Sequence, residues 1–187
     1  GAVRLSHHRD RLSVEARYQR LHTARRFAAR PGGVGFQPSL ESRSDYRGDV
    51  DTADVLASIE LGRGTFVAGG YEFERERYDG RQRTFGAPAG VGLDVGTAIT
   101  QDAHAWVGRA GYQSTAGLTV AASTRLQTFR LLRPVFRFTG TAPRYTDVHL
   151  AAPPRALTGD VAVAYPLAAG TRVRVHAGNA YRAPSLY

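Results

Sequence analysis

The residues best suited to chemistry include three glutamates that share one short stretch. Glu72, Glu74 and Glu76 occupy every second position of YEFERERY, and side chains with that spacing lie on one face of a β-strand. Grouped carboxylates can act as a general acid and base. The chain is rich in arginine, however, and carboxylates that face arginines form a salt-bridged surface more simply than a catalytic one. We therefore interpret the three glutamates as structural.

A second acidic stretch could bind a cation. The aspartates of DYRGDVDTAD, at positions 45, 49, 51 and 54, offer the oxygen ligands that calcium prefers. Their spacing lacks the glycine and the terminal glutamate of an EF-hand loop. Calcium is the lesser alternative here, and we predict no metal site. His7 and His8 are adjacent, so they would point to opposite faces of a strand, and we assign them to a solvated turn.

The sequence lacks the motifs of dinucleotide-binding enzymes, serine hydrolases and zinc proteases. GVGLDVG at 90–96 is superficially like a dinucleotide-binding loop, but its glycines have the wrong spacing and no βαβ pattern surrounds it. Neither a Gly-x-Ser-x-Gly elbow nor a His-Glu-x-x-His motif occurs. We expect no enzymatic activity and no cofactor.

Composition argues against three further classes of protein: disulfide-bonded, helical membrane and nucleic-acid-binding proteins. Of the 187 residues, 42% are hydrophobic and none is cysteine, which rules out disulfides. No run approaches the roughly 20 apolar residues that a spanning helix needs. The net charge is +9, and all 25 basic residues are arginine. These arginines are scattered through alternating segments instead of forming one stripe, which argues against nucleic-acid binding.

The elements that must position these side chains follow a period of two, as β-strands do. We predict seven strands, or eight if AVRL near the start is the end of another. Most would have about nine to thirteen residues, near the roughly 9–11 that a tilted strand needs to cross a bilayer. AITQDAHAWVGRAGY is a further strand whose faces are mixed. The apolar positions elsewhere are Leu12, Val14, Ala16 and Tyr18; Val55, Ala57, Ile59 and Leu61; Val67, Gly69, Tyr71 and Phe73; Leu118, Val120, Ala122 and Leu126; Val161, Val163 and Tyr165; and Val173, Val175 and Ala177.

The predicted connections alternate between short and long. Outer-membrane barrels have this order, because their periplasmic turns are short and their extracellular loops are long. The pattern predicts an all-β, antiparallel up-and-down meander that is part of a large transmembrane β-barrel. The short turns are SHHRD at 6–10, GRG at 62–64, QSTAG at 113–117 and PLAAG at 166–170, and the long polar stretches are 23–51, 78–96 and 130–156.

On this interpretation one face of the sheet contacts lipid and the other faces a water-filled lumen. Arginine on the lipid face would cost about 2–4 kcal/mol at the bilayer midplane. The predicted lumen-facing residues are Glu72, Glu74, Glu76, Arg125, Asp160, Arg172, Arg174 and His176. Aromatic residues near both strand ends would form two interfacial girdles. They are Phe66, Tyr112 and Tyr165 near the short turns, and Phe73, Tyr78, Phe129 and Tyr181 near the long loops.

The C-terminal part resembles the barrel region of TonB-dependent outer-membrane receptors. The resemblance rests on TGDVAVAY (158–165) and GTRVRVHAGNAYRAPSLY (170–187), and STRLQTF (123–129) is similar to a mid-barrel strand. The family has a Gly-aromatic-Arg-Ala-Pro-Ser-Leu signature, and Ala180 replaces its frequent glycine. The matching residues are Tyr181, Arg182, Ala183, Pro184 and Ser185.

The resemblance implies a barrel of about 22 strands, an N-terminal plug domain and a segment that contacts TonB. Residues 1–187 would then be a partial barrel domain, without the plug and the remaining strands. The implied location is the bacterial outer membrane, and the implied partners are its lipid, the TonB complex through the missing N-terminal part, and a small-molecule ligand.

The implied function is energy-dependent uptake of a scarce large ligand such as a ferric siderophore or cobalamin. Two alternatives stay open, namely a porin-like diffusion channel and a soluble all-β binding domain. Aromatic and cationic residues in the long loops are the candidates for ligand binding. They are Tyr46, Arg47, Tyr78, Arg81, Arg83, Arg144 and Tyr145.

Overall fold

The described regular structure is one antiparallel sheet whose eight strands pair in sequence order. The computed structural model describes residues 1–30, 41–85, 93–139, 150–168 and 170–183. These residues contain no helix long and apolar enough to cross a membrane. The strands are β1 (Ala2–Arg9), β2 (Leu12–Ala29), β3 (Glu41–Gly62), β4 (Thr65–Phe85), β5 (Leu93–Gln113), β6 (Thr119–Thr139), β7 (Ala156–Ala168) and β8 (Thr171–Asn179).

The prediction of an all-β, antiparallel up-and-down meander is confirmed, and AVRL belongs to β1. The predicted strand lengths are wrong for the central strands. β3 has 22 residues and β4 has 21, so much of the predicted long loops 23–51 and 78–96 is strand. These parts are polar on both faces and therefore lack the apolar alternation that marks a half-buried strand. The backbones of β2 and β3 nevertheless pair without interruption, from Ala29 opposite Ser42 to Leu12 opposite Ile59.

Tight turns join the strands at one end of the sheet. Arg63 and Gly64 connect β3 to β4 with φ values of 51° and 73°, the left-handed pair that a two-residue hairpin turn requires. This confirms the predicted turn at 62–64. The predicted turn at 6–10 is displaced, because His7 and His8 lie within β1 and pair with Val14 and Ser13. Because Arg9 pairs with Leu12, the turn between β1 and β2 consists of residues 10–11 alone.

One irregularity alters which residues of β6 share a face. Ala98 pairs with Val135 and Thr100 with Leu132, so two residues of β6 stand opposite Ile99 alone. One of the two is Pro134, which has no backbone N–H to give to the ladder and is tolerated at such a bulge. Beyond the bulge, Phe136 is paired with Thr97 and shares the face of the odd-numbered residues of β5.

The described residues contain no large hydrophobic core. Their buried apolar residues are all alanine, and no large side chain is fully buried. Ala103 and Ala105 are the most enclosed, at 5% and 2% exposure. Because the described residues form a single layer, the large apolar side chains of the sheet lie on its surface. Apolar surfaces of this kind are normally covered by another element, a partner or a membrane.

Replacing Gly64 by alanine should destabilise the protein more than replacing Gly170. Both glycines have left-handed φ values, +73° and +82°, so either alanine carries a backbone penalty of about 1–2 kcal/mol. A Cβ at Gly64 would also overlap the carbonyl oxygen of Gln113, whereas one at Gly170 meets nothing within 4 Å. We expect Gly64→Ala to lower the free energy of unfolding by a further ~1 kcal/mol. Urea unfolding of the full-length protein measures this, and equal losses would contradict the steric argument.

Candidate functional site

One face of the sheet carries a continuous apolar band. Directly paired residues of an antiparallel ladder present their side chains on the same side, and the register aligns Leu12, Ile59 and Val67 across β2, β3 and β4. The alignment continues through β5 and β6 to Val161 and Ala177 on β7 and β8. We call this surface, between the tight turns and the row that contains Tyr18 and Phe73, the apolar band.

The band is exposed although it is apolar. Trp106 is 63% exposed, Leu157 66% and Val175 63%. Except for Leu61 and Leu118, which lie outside the paired register, the apolar strand positions that the sequence predicted share this face. β5, to which no face was assigned, contributes Trp106 to it. Polar residues interrupt the band on β1 near its turn, where Arg9 pairs with Leu12, and at Thr124 and Asn179, which both pair with Gly159. An exposed apolar surface that crosses eight strands marks an interaction site, for a membrane or for another protein.

Aromatic and hydrogen-bonding side chains mark the far edge of the band, away from the tight turns. The Tyr71 hydroxyl lies 2.6 Å from Nδ1 of His104, and its ring centre lies 4.9 Å from that of Trp106. Tyr18 donates a hydrogen bond of 2.8 Å to Asp51. Tyr71 and Tyr18 thus each combine an apolar ring with a polar partner, as side chains at an apolar–aqueous boundary do.

A row of alternating charges follows directly beyond that edge. Arg75 donates two hydrogen bonds to Asp102, at 2.6 and 2.8 Å, and Asp102 is only 8% exposed. Asp51 lies 3.7 Å from Arg20. Opposite charges directly across from one another stabilise a sheet, so every pair in the row is favourable. We call this set the charged row: Arg20, Asp51, Arg75, Asp102 and Arg130.

The opposite face, the polar face, carries ion pairs over the same span. Arg125 on β6 pairs with Glu72 on β4, reaching across the small side chain of Ala105. His176 lies 3.6 Å from Asp160, which also accepts a hydrogen bond from Ser123. The register places all eight predicted lumen-facing residues on this face: Glu72, Glu74, Glu76, Arg125, Asp160, Arg172, Arg174 and His176.

The polar face becomes aromatic towards the far ends of the strands. The ring centres of Phe27 and Tyr46 are 5.9 Å apart in an edge-on arrangement, and those of Tyr46 and Tyr78 are 6.3 Å apart and stacked. Tyr78 lies over Gly80, where an added Cβ would stand 2.7 Å from its hydroxyl. Three neighbouring strands therefore present one aromatic group, the aromatic trio of Phe27, Tyr46 and Tyr78.

The location predicted for the ligand-binding candidates is wrong for five of them. Tyr46 and Arg47 lie in β3, and Tyr78, Arg81 and Arg83 lie in β4, because the backbone ladder continues through their polar sequences. They also divide between faces. Tyr46 and Tyr78 lie on the polar face, and the three arginines lie on the face of the apolar band. Arg144 and Tyr145 lie outside the described residues.

The predicted aromatic girdles are correct only in part. Tyr112 pairs with Val120, and Tyr165 with Val173, so both lie on the apolar face near the turns. Phe73 lies on that face at the far edge. Three others lie on the polar face, because each has the opposite parity: Phe66, Tyr78 and Phe129. Tyr181 lies beyond the end of β8, so the strand register gives it no face.

The C-terminal motif is described only at its start. β8 ends at Asn179, whose side chain accepts a hydrogen bond of 2.8 Å from the Gly159 backbone and donates one to the Leu157 carbonyl. The ring centre of Tyr181 lies 6.2 Å from that of Phe129. Pro184 and Ser185 lie outside the described residues, as does the start of the glycine-rich stretch at 90–96.

An arginine cluster lies beyond the charged row. The sequence predicted Arg47, Arg81 and Arg83 as ligand-binding candidates but did not predict that they group with Arg26 and Arg43. Five arginines line an open cavity of about 650 Å³ on the same face as the apolar band. Their neighbour Asp94 accepts a hydrogen bond of 2.9 Å from Arg81, and this bond lowers the pKa of the Asp94 carboxyl below its ordinary value. The alternation of Arg with Asp in DYRGDVD and RERYDGRQR was the available signal. The name arginine cluster refers below to these five residues: Arg26, Arg43, Arg47, Arg81 and Arg83.

Comparison with known proteins gives no identity. No family model, curated protein or solved structure matches the sequence. Within the described ranges, no three His, Asp or Glu side chains are grouped to hold a metal ion. The function must therefore be argued from the two faces of the sheet.

Replacing Asp102 by asparagine should destabilise the fold, because it removes the charge that two hydrogen bonds from Arg75 compensate in a largely enclosed position. We expect the free energy of unfolding to fall by about 2–3 kcal/mol. Asp94→Asn is the matched control, since the Arg81–Asp94 pair is 54% and 29% exposed and should contribute less than about 1 kcal/mol. Chemical unfolding of both full-length variants measures the difference. Equal losses would show that the charged row has no special role.

Proposed function

We propose that the sheet is part of the wall of a transmembrane β-barrel in the bacterial outer membrane. The apolar band faces lipid, and the polar face lines an aqueous interior. The observation that carries this proposal is the band itself, which runs across the eight strands and leaves Trp106 and Val175 more than half exposed. A barrel also removes the two open sheet edges, whose unpaired backbone groups would each be costly in lipid.

The height of the band suits a bilayer. On β4 the band lies between Thr65 at the turn and Arg75 in the charged row, which are about ten residue steps or 33 Å apart along the strand. At the roughly 40° tilt of such barrels this length corresponds to about 25 Å across the membrane, the usual height of their outward apolar band. The charged row would lie at one membrane boundary, with the aromatic edge directly inside it.

The two ends of the sheet suit opposite sides of the membrane. Tight turns such as Arg63–Gly64 are typical of the periplasmic side, and strands that extend beyond the band are typical of the outer side. Tyr46 and Tyr78 then lie at the outer mouth of the interior, and Arg25, which pairs with Tyr46, adds a positive charge there. This combination suits a large anionic ligand that has aromatic or apolar parts.

We propose that the barrel is a receptor that takes up a scarce large ligand, such as a ferric siderophore or cobalamin. The resemblance of residues 158–165 and 170–187 to TonB-dependent receptors supports this choice. Energy would come from the TonB complex through a segment outside these residues, and none of the side chains needs to perform covalent chemistry.

A diffusion channel is the second candidate, and the ion pairs of the polar face favour it. Charged side chains such as Glu72 and Arg125 on a channel wall set ion selectivity. The two candidates share the membrane wall and differ in energy coupling.

Arginine at Ala57 should prevent insertion, whereas arginine at the neighbouring Ser58 should not. Ala57 pairs with Gly69 in the middle of the apolar band, and Ser58 pairs with Ala68 on the polar face. We expect Ala57→Arg to make folding into phospholipid vesicles less favourable by about 2–4 kcal/mol, because its charge would face the hydrocarbon. Ser58→Arg should change it by less than about 1 kcal/mol, because its charge would face water.

The readout is the fraction of full-length protein that becomes heat-modifiable and protease-resistant after addition of vesicles. If both variants folded equally well, or if the unmodified protein stayed soluble without lipid, the wall assignment would be wrong. The second result would support a soluble binding domain.

Energy coupling separates a receptor from a diffusion channel. We expect cells that express the full gene to accumulate a labelled ferric chelate or cobalamin, and a protonophore to abolish the accumulation. The matched control is the same strain with the gene deleted. Uptake that persists with the protonophore, together with steady conductance of the purified protein in a planar bilayer, would assign the chain to a diffusion channel instead.

A further inference from the structure

We propose that the arginine cluster binds the phosphate groups of a large glycolipid headgroup in the outer leaflet. The inference rests on the proposed membrane wall, but it concerns the opposite surface from the aromatic trio. Its occupant is a phosphorylated oligosaccharide carried by a lipid, which contacts the barrel from the side of the membrane.

The charge of the cluster favours an anion. Five arginines line the cavity with two carboxylates, Asp45 and Asp79. Two neighbouring carboxylates, Glu41 and Asp94, pair with Arg43 and Arg81, so an excess of one positive charge is left. Asp45 is shared, since Arg26 lies 3.4 Å from one of its oxygens and Arg83 lies 3.6 Å from the other. One carboxylate between two guanidinium groups leaves donors available to a further anion.

The hydrogen-bonding state of Arg83 also favours a further acceptor. Its Nε is buried and has no hydrogen-bond partner within the described part of the chain. A buried donor without an acceptor is costly, and a phosphate oxygen in the cavity would supply one. Guanidinium groups bind phosphate through two parallel hydrogen bonds, which makes arginine the side chain best suited to this role.

The position of the cluster identifies the source of the phosphate. All five arginines share the face of the apolar band, as the register of β2, β3 and β4 shows, so a ligand in the barrel interior would not reach them. The cluster therefore contacts the medium directly outside the lipid surface.

The height of the cluster excludes a small headgroup. Arg81 and Arg83 lie six and eight residues beyond Arg75, about 15–20 Å above the band at a strand tilt of roughly 40°. The headgroup layer of an ordinary phospholipid is about 5–8 Å thick and ends below them. A phosphorylated oligosaccharide that extends from its lipid does reach this height.

The test measures binding of a phosphorylated lipooligosaccharide to the full-length protein in neutral phospholipid nanodiscs. The cluster variant combines Arg26→Gln, Arg43→Gln and Arg83→Gln. The control variant combines Arg11→Gln, Arg63→Gln and Arg109→Gln, three exposed arginines at the turn end of the sheet. It removes the same charge far from the cluster. Heat-modifiability confirms that both variants are folded and inserted.

We expect the cluster variant to bind the glycolipid about 100-fold more weakly, on a scale of roughly fivefold per arginine near an anionic lipid surface. The control variant should bind like the unmodified protein. Removal of the phosphates from the lipooligosaccharide should weaken its binding to the unmodified protein by a similar factor. Phosphatidylglycerol, whose headgroup is short, should bind all three proteins equally.

Several results would overturn the inference. It is wrong if the cluster and control variants bind alike, if the dephosphorylated glycolipid binds as tightly, or if phosphatidylglycerol depends equally on the cluster. In those cases the inserted protein still supports the membrane wall. Failure of the unmodified protein to insert would instead overturn the proposed function and this inference together.

Discussion

The hydrogen-bonded register of the eight strands is the constraint on which the other features depend. Because the described sheet is one layer without a large core, a side chain lies on one of only two faces, and its parity in the ladder decides which. The pairing of Leu12 with Ile59 and of Ile59 with Val67 thus fixes the apolar band. A slip of one residue would place arginines among valines.

Each face changes its polarity along the strands. The apolar band ends at the charged row, while the ion-paired polar face ends at the aromatic trio. The residues responsible are often neighbours in sequence, as Tyr46 and Arg47 are. The proposed membrane wall accounts for this inversion. Near the turns, lipid would meet the apolar band and water would meet the polar face, and beyond the charged row water would meet both faces.

Much of the fold could be predicted from sequence, and the reasons for the failures are physical. Alternation of valine with arginine identified strands such as β8, because one face is apolar there. In DYRGDVD both faces are polar, so alternation vanished although Asp49 and Asp51 lie within β3. The arginine cluster joins Arg26, Arg43 and Arg83 from three strands, and their proximity depends on pairing partners that a single sequence does not identify.

The bulge at Pro134 has a consequence for how β6 tolerates change. One additional residue moves Phe136 to the polar face, where Tyr46 and Tyr78 lie, and it exchanges the faces of the residues that follow. Exchange of one aromatic side chain for another leaves that arrangement intact. Deletion of Val135 would instead exchange the two faces for every side chain that follows it in β6. The number of residues in this segment therefore matters more than their identity.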